Sequence, residues 1–377
     1  MNVIRRGAAG PAWHLPLALD RLLTPCLILD LDALDRNIAA MASLTRRCGI
    51  ALRPHAKVHK SSAIVRRQLA AGAIGQCCAT LGEAEALAAA GISGLLITSP
   101  LVGHAMIERL LALQDGSGPA VVVDHGDNLA ALAAAAHRAK KRLPVLVDLD
   151  VGQRRTGVTG IEDAVALARA AAASPSLAYR GVQAYWGQLQ GLAGEVVRKA
   201  AVRDRSAWLS SVLDALKQAG LSPEIVTGGG TGTATIDAGL GLFTEIQPGS
   251  YALMDGFYAD ERLWDGGAAP GETALAVRCH VIAKNKEGEA ILNAGTKAFG
   301  SDVEPPRLPR RLLPGRGLRF MGDEHAAISG TASTLNTGDA LHLTPNFGAQ
   351  AIALYARYFG VRGAQVVEIL EIDAHGR

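Results

Sequence analysis

The sequence predicts an α/β protein: a closed (β/α)8, TIM-like barrel over residues 25–260 and a mainly antiparallel β domain formed by residues 1–24 together with 261–377. Three observations carry this. Short β-branched runs alternate with alanine-rich amphipathic stretches through the first two thirds of the chain, which is the pattern of parallel βαβ units. There are eight such runs, the number that closes a barrel. Beyond Tyr258 the texture turns to Gly, Asp and Pro and then to alternating apolar runs of the antiparallel kind. An open doubly wound sheet is the alternative.

Taken in order, the chain first places a helix over Leu31–Arg47, with Asp30 as its N-cap because a short carboxylate there accepts the first free helical N–H groups. The strands follow at Ala51–Arg53, Gly75–Thr80, Gly94–Ser99, Ala120–Asp124, Leu143–Asp150, Tyr179–Tyr185, Glu224–Gly228 and Phe243–Gln247. Helical spacing of apolar residues fills the gaps at Ser61–Ala71, Gly82–Ala90, Met106–Leu113, Asp127–Lys140, Ile161–Ala173 and Glu195–Ala219. In the last third, Ala274–Ile282, Glu289–Leu292, Ala340–Thr344 and Gln365–Ile372 read as strands, and the proline clusters at 305–309 and 314–317 as loops.

Composition excludes several functions. With 49% apolar residues, a net charge of +3 and no basic block, the 377-residue chain carries no nucleic-acid footprint, and 4% aromatic residues build no stacking platform. No apolar run approaches the ~20 residues a membrane span needs, and no secretory signal follows Arg5 and Arg6. Cys26, Cys48, Cys77, Cys78 and Cys279 are odd in number and lack Cys-x-x-Cys spacing, so they read as reduced, mostly buried thiols of a cytoplasmic protein.

The chemistry gathers at strand ends. Arg53-Pro54-His55-Ala56-Lys57-Val58-His59-Lys60 sets an amine and two imidazoles where the first strand stops. If the barrel closes, Asp148 to Gly157, Gln183 to Gly187, Gly228 to Gly232 and Pro248 to Tyr251 share that face, where barrel enzymes keep their sites. A glycine-rich turn after a late strand exposes backbone N–H groups to an anion, and Ser250 and Tyr251 add hydroxyls. A phosphate cradle opposite a strand-end lysine points to pyridoxal 5'-phosphate, with Lys57 as Schiff-base lysine. Arg53, His59 and Lys60 are the groups expected to lower its pKa. Arg155 is the candidate partner of the pyridine nitrogen, which a permanent positive charge keeps unprotonated.

Thr24-Pro25-Cys26-Leu27-Ile28-Leu29-Asp30, the Arg53–Ser61 segment, Gly181-Val182-Gln183-Ala184-Tyr185, Gly228-Gly229-Gly230-Thr231-Gly232 and Gln247 to Asp255 resemble, in order, the D-threonine aldolase, 3-hydroxy-D-aspartate aldolase and D-serine dehydratase group. The resemblance runs from Thr24 to the C-terminus and implies the alanine-racemase type of fold. It also implies that Lys57 carries the cofactor, with Arg155, Tyr185, Gly228, Gly229, Gly230, Thr231, Gly232, Gly249, Ser250 and Tyr251 around its ring and phosphate, and that the protein is a homodimer. The group holds a divalent metal on a pair of ligands after a C-terminal proline. Here that stretch is Pro345-Asn346-Phe347-Gly348-Ala349, whose apolar side chains at 347 and 349 bind no cation, so no metal is expected. The group's histidine beyond the barrel tyrosine is also replaced, by Gln190-Gly191.

Three readings follow. The first is a metal-independent lyase that cleaves a β-hydroxy-D-amino acid by retro-aldol chemistry, with His55 and His59 as catalytic partners of Lys57. Its substrate contacts are Gln183, Trp186, Asp302, His325 and Phe347. The second is a racemase or another Cα-proton-transfer enzyme, and the third a non-catalytic protein that holds the cofactor. Glu83 and Glu85 read as helix-dipole partners, and His104, His125 and His137 as surface residues.

Overall fold

The computed structural model describes residues 13–113, 118–264, 270–285, 288–300, 306–307, 317–329 and 335–375. All eight expected strands form, as Ala51–Leu52, Gln76–Cys78, Leu95–Ile97, Ala120–Val123, Leu143–Leu149, Leu177–Ala184, Ile225–Gly228 and Glu245–Ile246. Each pairs in parallel with its neighbour, and Glu245–Ile246 returns to Ala51–Leu52. The remaining gap, between the first strand and Gln76–Cys78, is bridged just past the strand by His55 and Cys77. There Cys77 N donates to Pro54 O and Ala56 N to Cys77 O, each at 2.8 Å. The ladder therefore returns to its start, which rules out the open doubly wound sheet.

Inside the ring, strand positions that face inward are filled by side chains. Arg53 lies in this packed interior and forms a two-pronged ion pair with Glu245 at 2.8 Å on both prongs, and it also donates to Gly94 O. Three strand segments are thereby tied at one point. The Glu245 side chain is 3% and the Arg53 side chain 12% exposed, so water screens this pair only weakly.

Among the described residues the second sheet has nine strands and is antiparallel except where Cys26–Asp30 runs parallel to Arg357–Arg362. Cys26–Asp30 sits centrally, with Leu275–Lys284 on its other side. The boundary drawn at residue 25 thus does not coincide with the edge of the sheet, which falls at Asp30. The next residue begins the helix Leu31–Cys48, capped as expected by Asp30, whose Oδ1 accepts from Asp32 N and Ala33 N at 2.9 and 3.0 Å. No linker intervenes, and a single apolar core contains Leu27 and Leu29 of the second sheet as well as Val121 and Val145 of the barrel.

The other predicted helices and strands form within two residues of their expected ends, and the loops expected at 305–309 and 314–317 lie largely outside the described residues. Unforeseen were Leu17–Ala18, Cys26–Asp30, Leu318–Phe320, Ala326–Ile328 and Arg357–Arg362, and three helices of four or five residues. Most of these are too short to show a period, and Cys26–Asp30 is a continuous apolar run without alternation because both its faces are covered. All five cysteines are free, and only Cys48 is exposed. Among the described residues no helix is long and apolar enough to cross a membrane.

Replacing Glu245 with Ala strands the Arg53 guanidinium in the barrel interior. We expect Glu245→Ala to lose about 3–5 kcal/mol of stability, measured as the shift in a urea unfolding curve.

Candidate active site

Strands of one direction end on one face, and on that face the loops enclose a cavity with Lys57 on one side and the Gly229–Thr231 turn among its walls. Lys57 lies on the turn that follows Ala51–Leu52. Burial first, then the Arg155 guanidinium, lowers the pKa of its amine below the ordinary lysine value, while Glu83 opposes this. Both cations flank one ring: Lys57 Nζ is 5.6 Å and Arg155 Cζ 5.5 Å from the centroid of Tyr185. Arg53, His59 and Lys60 do not supply the expected depressing charge. Arg53 is paired with Glu245 and Lys60 with Glu83 at 2.5 Å, and burial holds His59 neutral.

Arg155 is held by a loop that folds back on its own strand. Asp150 Oδ1 accepts from Gly152 N and Arg154 N at 2.9 and 3.0 Å, and Thr156 Oγ1 donates to Asp148 Oδ2 at 2.7 Å. Asp148 also accepts from Gln183 Nε2 at 2.8 Å, and burial raises its pKa to about 6 against these hydrogen bonds. The same buried carboxylate therefore positions a cavity amide and the arginine loop.

Beside the Lys57 segment, where His55 N donates to Pro248 O at 3.1 Å, two further loops meet. Tyr251 N donates to Thr231 Oγ1 at 3.1 Å and joins them. The amides of Gly229, Thr231, Gly249 and Ser250 find no acceptor among the described residues, and all four residues line the cavity. At Gly249 a Cβ atom would lie 2.9 Å from Val58 Cγ2 and 3.1 Å from His55 O, so any side chain would push into the Lys57 segment.

The structure sorts the predicted residues. His55, Lys57, Arg155, Gln183, Tyr185, Gly229, Gly230, Thr231, Gly249 and Ser250 reach the cavity. His55 is there as an oriented neutral ring. Thr98 Oγ1 donates to Cys78 O, so His55 Nε2–H donates to Thr98 at 3.1 Å, and Nδ1 faces Lys57 N at 3.4 Å. Burial, ahead of Lys57 and His59, lowers its pKa well below the usual histidine value. Both nitrogens are occupied, which does not suit the role of free base. His59 does not reach the cavity: it is fully buried, its Nδ1 accepts from Ser61 N at 3.2 Å, and burial brings its pKa to about 4.

Trp186 is also a core residue, with no exposed surface, its ring edge-on to Phe243 and its Nε1 donating to Asp237 at 3.0 Å. Gly228 lies against the neighbouring strand, where a Cβ would stand 1.9 Å from Ala184 O. Gly232 N donates to Gln190 Oε1 at 2.9 Å, and the Tyr251 hydroxyl accepts from Gln68 Nε2 at 3.0 Å, so both face the core. His325 is exposed in the second sheet's loops, and Asp302 lies outside the described residues. Phe347 stacks on Phe257 at 5.2 Å, and Phe257 in turn packs edge-on against Tyr258, a cavity residue. Phe257 fills the space above Gly191, where a Cβ would be 2.4 Å from its Cζ. Thr98, Ser99, Gln247 and Tyr258 line the cavity without having been predicted. Thr98 and Gln247 directly follow barrel strands and Ser99 comes one residue later, a signal that reading every strand end would have caught.

Residues 29–255 match the family model described as alanine racemase, N-terminal domain, and residues 274–361 match a serine dehydratase domain model. The chain is 36% identical over 364 residues to a 3-hydroxy-D-aspartate aldolase of Paracoccus denitrificans (strain Pd 1222), covering 94% of this chain and 92% of that protein. It is also 36% identical to a D-threonine aldolase of Arthrobacter sp., covering 100% and 98%. Among solved structures, the D-threonine aldolase of Filomicrobium marinum superposes with a TM-score of 0.92 at 34% identity, over 96% of this chain and 98% of that one.

The charge geometry makes one expectation independent of turnover. Removing the guanidinium in Arg155→Gln takes away a cation that lowers the Lys57 pKa, so that pKa should rise. The pH at which an amine-selective reagent labels Lys57 in cofactor-free protein should move upward, read by peptide mass spectrometry.

Proposed function

The chain belongs to the alanine racemase N-terminal domain family, and on that premise we propose that it is a pyridoxal phosphate-dependent lyase that cleaves β-hydroxy-D-amino acids to glycine and an aldehyde. One observation carries the reading: a buried amine of lowered pKa shares one cavity with four backbone amides that find no acceptor among the described residues.

Those residues fit the cofactor. The amides of Gly229, Thr231, Gly249 and Ser250 would hold the phosphate, Arg155 would face the ring nitrogen, and Tyr185 would pack beside the ring. When bound, pyridoxal phosphate supplies a carbonyl carbon that captures an amino group and a ring that withdraws electrons from it. The protein supplies the rest. Cleavage moves the β-hydroxyl proton to a base, breaks Cα–Cβ, releases the aldehyde and returns a proton to Cα. Lys57, whose pKa burial and Arg155 lower, is the cavity group suited to accept and return that proton. His55, neutral and oriented by Thr98, shapes the floor instead of titrating.

The Phe257, Tyr258 and Phe347 cluster at the rim favours a substrate whose β-substituent is apolar. Phe347 and Ala349 stand where the resemblance places metal ligands and offer no donor atom, so the reaction is read as metal-independent. The same lack of a metal to polarise the hydroxyl favours a second reading, proton exchange at Cα as in a racemase. We also propose a homodimer and, from the five unpaired thiols, a reducing cytoplasmic setting. Sedimentation should give twice 39.1 kDa.

Borohydride treatment of the loaded protein should fix a phosphopyridoxyl group on Lys57, and Lys57→Ala should lose that adduct and about 10²–10⁴-fold or more of the turnover. Incubating the loaded protein with D- and L-β-hydroxy amino acids in deuterated water separates the readings. Glycine and aldehyde release supports the lyase. Cα deuteration with an intact skeleton supports proton exchange, and neither product refutes both. Activity that survives exhaustive chelation is expected; activity lost to chelator and restored by a divalent cation overturns metal independence.

A further inference from the structure

The glycine turn is fastened to the barrel core by a carboxylate that no part of the proposed reaction uses. Asp237, on the short helix Ala234–Ala238, is 1% exposed, yet its two oxygens take three donors. Oδ1 accepts from Trp186 Nε1 at 3.0 Å, and Oδ2 accepts from Thr233 Oγ1 at 2.5 Å and from Gly230 N at 3.4 Å. Gln190 fastens the next part of the turn, accepting from Gly232 N at 2.9 Å and donating to Thr233 Oγ1 at 2.9 Å. The turn is also shaped to the carboxylate: Gly229 has φ +70°, and a Cβ there would lie 2.4 Å from Asp237 Oδ2.

The consequence is an alternation along the backbone. Amides 230 and 232 are drawn into the protein, and amides 229 and 231, beside and between them on the cavity wall, find no acceptor among the described residues. Without the tether, amide 230 loses its side-chain acceptor, and only the Gln190 and Tyr251 contacts hold the turn. We infer that Asp237, with Thr233 as its bridge to Gln190, is a positioning residue that sets this turn to receive a phosphate monoester. The inference rests on the pyridoxal phosphate reading above and deepens it. Burial pushes the Asp237 carboxyl up to about 7 even though all three donors oppose that shift, so the group is held here at a cost that fixing the turn explains.

Asparagine keeps the size of Asp237 but presents an N–H₂ group to the Gly230 N–H or to the Trp186 N–H, and one donor then loses its partner. The test compares two aldehydes, pyridoxal phosphate and pyridoxal, which differ only in the phosphate, titrated into cofactor-free wild type, Asp237→Asn, Thr233→Val and Thr233→Ser. In wild type the phosphate ester should bind far more tightly than pyridoxal. In Asp237→Asn and Thr233→Val that ratio should fall roughly tenfold or more, the loss expected when a buried hydrogen bond is broken and its partner left unsatisfied. Pyridoxal affinity should stay close to wild type, and Thr233→Ser should retain the ratio. Should Asp237→Asn fail to fold, Thr233→Val alone decides. An unchanged ratio, or an equal loss for both aldehydes, overturns the positioning role. If wild type binds neither aldehyde at Lys57, it is the cofactor reading that fails.

Discussion

A ring of parallel strands has no edge only if its last pair is joined, and here the joining hydrogen bonds are made by the segment that carries Lys57. Pro54 O and Ala56 N clasp Cys77 just beyond the two-residue strand Ala51–Leu52, so the backbone on either side of the lysine is part of the barrel wall. The second sheet holds the same segment from behind. Tyr358 Oη donates to His59 O at 2.6 Å, Ala374 N donates to Lys60 O at 3.0 Å, and Ser62 N donates to Asp373 Oδ1 at 2.8 Å. A flexible amine on a four-carbon stem is thus mounted on a backbone with little freedom, which is the arrangement that a reacting group requires.

That clamp explains why two domains behave as one fold. The chain leaves the centre of the second sheet at Asp30, caps a helix with the same residue and enters the barrel, while the C-terminal strands return to cover the Lys57 turn. His59, which by residue type invites a catalytic role, serves this junction. Its ring is sealed from water and its carbonyl receives the tyrosine hydroxyl.

A network of polar side chains lies buried in the barrel beneath the cavity. Gln183 bridges Asp148 and Gln247, and Gln247 Nε2 donates to Thr227 Oγ1 at 2.9 Å. Thr98 links His55 to the strand bearing Cys78. Buried amides and carboxylates are tolerable only when their hydrogen bonds are met, and a network with fixed partners also fixes geometry. Asp148 sets the arginine side of the cavity through Thr156, and Asp237 sets the glycine side through Gly230 and Thr233.

The local code determined much of this protein. Apolar spacing marked all eight barrel strands and the helices between them, and Asp30 declared its cap, because period and capping depend on neighbours a few residues away. Lys57, Arg155 and the glycine turn were legible as strand-end groups for the same reason. What only the tertiary structure decided depends on contacts between residues far apart in the chain. Trp186 and His59 face inward because Asp237, some 50 residues from the tryptophan, and Tyr358, some 300 from the histidine, meet them there. Cys26–Asp30 is a central strand because Leu275–Lys284 and Arg357–Arg362 flank it. Which histidine nitrogen is free, which amide is unpaired and which cation lowers the lysine pKa are properties of the folded neighbourhood, and no spacing in the sequence encodes them.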